Sequence, residues 1–278
     1  MKRKYLVLCT VVPVFIALAS CNSREEQEKQ ADARLKHIEQ LIVENSLNAA
    51  KIEIDSIHIL FPKLVDRRRV AEDLEDTVVR RESARSLAYC NEMLPVKQHE
   101  ADSIRKNFRF EKNEAYQQFG NFVFKTQRTE NNATRTYLKS YVDENADFYL
   151  ISNYCGAKIE HVAVQVSVDG VFARTDTVAT GNAFNHGFSD GGMHWETITF
   201  KNEKGKEIGA FVEQNAVSRI KVDLEGKRHY AYFLEPNDKK AISETYHLWV
   251  VMKDISRLKN EIRKATIRIE RINRRMKK

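Results

Sequence analysis

Proline is scarce in this chain, with four residues in 278, and glycine is both scarce and confined. All ten glycines lie between Gly120 and Gly226, with none before or after. Cysteine is limited to four residues, too few for a disulfide-built scaffold. The only long apolar run is Tyr5 to Ala19, about 15 residues, shorter than the roughly 20 that span a bilayer. The composition excludes a multi-span membrane protein and, with 26 aromatic residues, a wholly disordered chain. Charge is abundant instead: 46 bases and 39 acids make 31% of the residues charged, against 42% hydrophobic. That length and balance predict one sizeable core or two modest ones, together with long, solvated helix.

The N-terminus carries an address. Met1-Lys2-Arg3-Lys4 is a positive n-region, the apolar run follows, and it ends in Leu18-Ala19-Ser20-Cys21. This combination resembles the bacterial lipoprotein signal and its cleavage box. The resemblance implies removal of residues 1–20, lipidation of the Cys21 thiol and acylation of the new amino terminus. Two or more acyl chains hold a protein where one would release it, so the membrane becomes a partner through the N-terminal lipid. The short acidic run Glu25-Glu26, just behind Cys21, is similar to the export signal of surface lipoproteins in the Bacteroidetes. The expected address is the cell envelope, as an outer-membrane lipoprotein facing either the surface or the periplasm.

Asp-Ser/Thr followed by a small or apolar residue resembles the O-glycosylation sequon of that same bacterial group. It occurs at Asp55-Ser56-Ile57, Asp76-Thr77-Val78, Asp102-Ser103-Ile104 and Asp176-Thr177-Val178. The resemblance implies glycans at Ser56, Thr77, Ser103 and Thr177, provided the hydroxyls reach the surface. Behind the anchor, Cys90 and Cys155 are the remaining thiols, and they read as two separate residues rather than a pair.

Glycine and aromatic placement divide the mature chain. Eighteen of the 26 aromatic residues fall between Tyr116 and Glu235, the zone that also holds the glycines. Turn-forming glycines with strand-favouring aromatics predict a β domain over 116–235, flanked by helical segments at 21–115 and 236–278. In the first flank, Leu35, Ile38, Ile42, Asn45, Ala49 and Ile52 step by three and four, a short heptad-like stripe. Pro62 and Pro95 read as helix breaks or first-turn positions, bounding a long helix from about 62 to 92 with Leu64, Ala71, Leu74 and Val78 on its apolar side.

In the centre, His161 to Val168 alternates valine with other residues and turns at Asp169-Gly170, which predicts a hairpin. Further strands are expected at 121–125, 137–142, 148–152, 195–201, 208–212, 220–224 and 229–234, with no helix between them. That pattern predicts an α+β protein with an antiparallel, sandwich-like β domain. The last flank starts at Pro236-Asn237-Asp238, and Ile255, Leu258, Ile262, Ala265, Ile269, Ile272 and Met276 repeat in heptad spacing. Such a seam needs a partner, and the first helix offers one. The bases of this tail are spread around a helix without interleaved aromatics, so nucleic acid is not an expected partner.

One segment concentrates the residues that could carry function. Gly187-Phe188-Ser189-Asp190-Gly191 matches the G-x-S-x-G string, but Gly192 to Thr197 leads into a strand, without the helix that a nucleophile elbow requires. No catalytic residue is therefore assigned. His186, Asp190 and His194 are three potential metal ligands in nine residues, yet turn chemistry explains Asp190 and the glycines, so no metal or cofactor is expected. Phe184, His186, Phe188, Asp190, His194 and Trp195 remain as a candidate binding loop for a carbohydrate or protein ligand. The expected function is non-catalytic, a binding or scaffolding module on a lipid anchor. The alternative is an envelope hydrolase acting on carbohydrate or peptide.

Overall fold

The computed structural model describes the backbone of residues 16–128 and 132–276 and the side chains of those from 24 onward. The Cys21 side chain, most of the leader and the last two residues lie outside the described residues, and with them the lipid anchor. Among the described residues five α-helices and ten strands follow in order, so the chain is α+β, with two antiparallel sheets. Among the described residues no helix is long and apolar enough to cross a membrane. The chain divides into two compact units, 1–90 with 261–278, and 91–260.

The first unit contains α1 (Ile16–Val43), α2 (Leu47–Leu60), the start of α3 (Val65–Arg105) and the end of α5 (Pro236–Arg275). Leu35, Ile38 and Ile42 of α1 pack with Leu47, Ala50, Ile54 and Ile57 of α2 and with Leu64, Ala71 and Val78 in one core. The expected stripe through Asn45 to Ile52 does not continue. Asn45 adopts φ 62°, α1 stops, and α2 restarts in a new phase that buries Leu47 and Ala50 and exposes Ala49 and Ile52. Asn and Asp tolerate the left-handed region better than other side chains, which makes Asn45 the natural hinge. Arg81 of α3 caps the end of α1 by donating to Ile42 O at 2.5 Å, and Arg85 donates to Asn45 Oδ1 at 2.6 Å.

The C-terminal seam buries Leu258, Ala265 and Ile272, with Ile255, Ile262 and Ile269 half-buried. At its end Arg275 pairs with Asp76 of α3 at 2.5 Å.

Pro95 lies inside α3, not at a boundary. A mid-helix proline loses one hydrogen bond and costs about 3 kcal/mol. The turns beyond it offset this: Ala101 enters the core, Ile104 packs on it, and Lys97 pairs with Glu100 at 2.8 Å and Asp254 at 3.8 Å.

The second unit holds all ten strands. The six-stranded sheet runs β1 (Phe108–Glu111), β2 (Asn121–Phe124), β3 (Tyr137–Asp143), β4 (Phe148–Gly156), β8 (Met193–Lys201), β7 (Asn185–Asp190). The four-stranded sheet runs β10 (Tyr230–Phe233), β9 (Lys221–Gly226), β5 (His161–Val168), β6 (Val171–Arg174). The β5–β6 hairpin closes at Asp169 and Gly170, with φ 48° and 86°, as its sequence predicts. Both sheets feed one core, with Leu138, Leu150, Ile198 and Phe200 from the first and Val164, Val166, Val222 and Leu224 from the second.

The segment 208–212 is not a strand. It lies in α4 (Lys206–Gln214), where Ile208, Phe211 and Val212 are buried at helical spacing. Gly209 lets that helix approach the core, since a Cβ there would fall 2.7 Å from the Tyr246 ring and 3.1 Å from Phe148.

Candidate functional site

Strands β7 and β8 form a two-residue hairpin through Gly191 and Gly192, whose φ values of 55° and 82° suit a type I′ turn. Residues directly opposite in an antiparallel pair share a face. One face therefore carries Ser189 with His194, and Gly187 with Glu196; the other carries Phe188 with Trp195, His186 with Thr197, and Asp190 with Met193. The proposed binding loop is thus split: Phe184, His186, Phe188, Asp190 and Trp195 belong to one face and His194 to the other. The three candidate metal ligands are separated by the sheet, and no group of metal-binding side chains occurs among the described residues.

On the aromatic face, Phe188 stacks on Trp195 with ring centroids 5.1 Å apart and planes 8° from parallel. The indole Nε1 donates to Ala133 O at 2.9 Å, which fixes the tryptophan ring beneath the more exposed phenylalanine. Phe188 is 60% exposed and Phe184 48%. Asn153 and Thr197, bonded to each other at 3.3 Å, add polar groups beside the rings.

The opposite face leads inward to a cluster that sequence reasoning did not single out. Glu196, 4% exposed, accepts hydrogen bonds from the backbone N–H of Ile159, Glu160 and His161 at 2.7–2.8 Å and contacts His161 Nδ1 at 2.6 Å. His161 Nε2 lies 3.0 Å from Ser152 Oγ, and both residues are fully buried. Burial alone would raise the Glu196 pKa, but the His161 ring and the three N–H groups outweigh it and bring it down to about 2. The carboxylate buckles the entry of β5 to β8. Gly226 makes room for this entry, since a Cβ there would fall 2.5 Å from His161 Cα.

Ser152, His161 and Glu196 have the bond order of a Ser–His–acid triad, but the Ser152 hydroxyl is sealed in the core, away from any substrate. The signal for this cluster was present: Ser152 and Glu196 occupy the inward phase of strands otherwise filled by Leu150, Ile198 and Phe200.

Outside the buckle lies a cleft of about 180 Å³ lined by Lys158, Glu160, Thr180, Gly181, Asn185, Gly187, His194 and Glu196. Lys158 pairs with Glu160 at 2.8 Å, and Lys227 pairs with the same carboxylate; together these hydrogen bonds hold the Glu160 pKa at about 2.

Ser103 and Thr177 are exposed, whereas Ser56 and Thr77 are half-buried on helices and donate to the carbonyls of Ile52 and Asp73. Cys90 and Cys155 are both free thiols. No family model, curated protein or solved structure matches the chain.

Proposed function

We propose that this chain is a lipid-anchored envelope protein, held at the outer membrane through Cys21, whose β domain binds carbohydrate on the aromatic face of the β7–β8 hairpin. The observation that carries the binding reading is the exposed Phe188 stacked on a tryptophan whose indole N–H is already tied down. A rigid, amphipathic ring with hydroxyl and amide groups beside it suits the apolar face and hydroxyl edge of a sugar, at little cost in side-chain entropy. Scaffolding is the second reading. It is favoured by an uncovered apolar row on α2, where Ile52 is 66%, Ile59 75% and Leu60 53% exposed.

Affinity electrophoresis of the full chain through gels containing bacterial envelope and host polysaccharides tests the binding reading. Retardation by at least one polysaccharide is expected, and Phe188→Ala weakens it about tenfold, the loss of roughly one aromatic contact. Migration unaffected by every polysaccharide, or by the substitution, rules out this face as the binding surface.

A further inference from the structure

The polar face of the same hairpin places an exposed serine hydroxyl against an imidazole that is backed by a buried carboxylate. Ser189 Oγ lies 2.7 Å from His194 Nδ1, and His194 Nε2 lies 3.5 Å from Glu196 Oε1. Gly187 leaves the ring this room, because a Cβ there would come within 3.2 Å of His194 Nε2 and crowd it by a few tenths of an ångström. The G-x-S-x-G string thus has a structural account different from an elbow: the first glycine seats the imidazole and the last one makes the turn.

We infer that Ser189 is the nucleophile of a hydrolase for short-chain acyl esters, with His194 as its general base. This goes beyond the carbohydrate reading and does not depend on it, since it uses the other face of the hairpin. His194 turns its Nε2 toward the Glu196 carboxylate, and in the tautomer protonated there the Nδ1 lone pair accepts from the Ser189 hydroxyl. The imidazole is turned end for end relative to the usual Ser–His–acid order, but either ring nitrogen can serve as the base.

β7 is an edge strand, and Thr199 N donates to Phe184 O at 2.9 Å, which makes Phe184 and Thr199 a hydrogen-bonded pair. By alternation Ser189 and His194 form a non-hydrogen-bonded pair, so the Ser189 N–H points outward from the sheet. It supplies one donor for an oxyanion formed at that edge. The adjoining cleft of about 180 Å³, open on one side to solvent, offers a place for a short acyl group and leaves the alcohol outside.

In the acylation step, Ser189 Oγ adds to the ester carbonyl carbon and its proton passes to His194 Nδ1. The C–O bond to the alcohol breaks, and His194 returns the proton to the departing alkoxide. Water then attacks the acyl-serine, giving its proton to His194; the acid leaves and Ser189 recovers its proton.

A fluorophosphonate probe on the folded full chain, with the adduct mapped by peptide mass spectrometry, tests the assignment. The expected result is an adduct on Ser189 that is lost in Ser189→Ala, lost on heat denaturation and formed at least about tenfold more slowly in His194→Gln. p-Nitrophenyl acetate is expected to acylate Ser189 at least about tenfold faster than p-nitrophenyl decanoate, as the small cleft requires. No adduct on Ser189, labelling at an equal rate in His194→Gln, or labelling that survives denaturation would overturn the nucleophile; an equal or faster reaction with decanoate would overturn the substrate class.

Discussion

Replacing Glu196 with alanine is expected to destabilise the β domain by about 3–5 kcal/mol, the usual cost of removing one partner from a buried charged network. Three backbone N–H groups and the His161 ring lose their acceptor at once. Urea unfolding followed by the fluorescence of Trp195 and Trp249, both in the unit that holds the strands, reads the change. A loss below about 1 kcal/mol would contradict the buckle.

The same carboxylate sets an acid dependence. Its folded pKa of about 2 lies below the ordinary value of 4.5, so its contribution is fully present above pH 4.5 and is lost as pH falls toward 2. Integrated over that window, the contribution is about 3 kcal/mol, at ~1.4 kcal/mol per pKa unit. The wild-type protein should therefore lose stability more steeply between pH 4.5 and 2 than Glu196→Gln, in which that titration is absent.

The second large effect is expected at Asp238, in the first turn of α5 and 1% exposed. Arg135 grips it with two bonds of 2.7 Å, one from each terminal nitrogen, and its guanidinium lies 4.6 Å above the Tyr137 ring. The carboxylate also stabilises the positive end of the helix. Asp238→Ala leaves the part-buried guanidinium without its main partner and should cost about 3 kcal/mol. Arg135→Met added to that variant should recover at least about 1 kcal/mol, because an apolar chain of similar length tolerates the site better than an unpaired cation. A double variant no more stable than Asp238→Ala would show that the loss arises elsewhere in the helix start.

Both networks show why part of this fold was legible in the sequence and part was not. β5 declares itself by alternating valines ending at Asp169-Gly170, and α5 by its unbroken heptads; in each case one local period matches the structure. The stretch Ile208-Gly209-Ala210-Phe211-Val212 is too short for its period to decide, and the burial of Ile208, Phe211 and Val212 by neighbouring elements makes it helix. Pro95 misleads for the opposite reason: a strong local signal is overridden by the packing of the turns beyond it. The polar Ser152 and Glu196 stand out in the inward phase of their strands, but they meet His161 only because β4 pairs with β8 and the entry of β5 packs against both, which no local spacing announces. The segment 184–194 reads as a loop in the sequence, whereas the structure pairs Asn185–Asp190 with β8 as a hairpin; which of its residues share a face depends on register, and register separates His194 from His186 and Asp190.

Attachment at Cys21 is the proposal on which placement in the envelope stands. Expression of the full chain in a Gram-negative host supplied with an alkyne-tagged fatty acid, followed by intact mass and N-terminal analysis, tests that claim most directly. The predicted product begins at Cys21, carries the tag, fractionates with membranes and becomes untagged in Cys21→Ser. An untagged wild-type chain, or one that begins at any other residue, would contradict it.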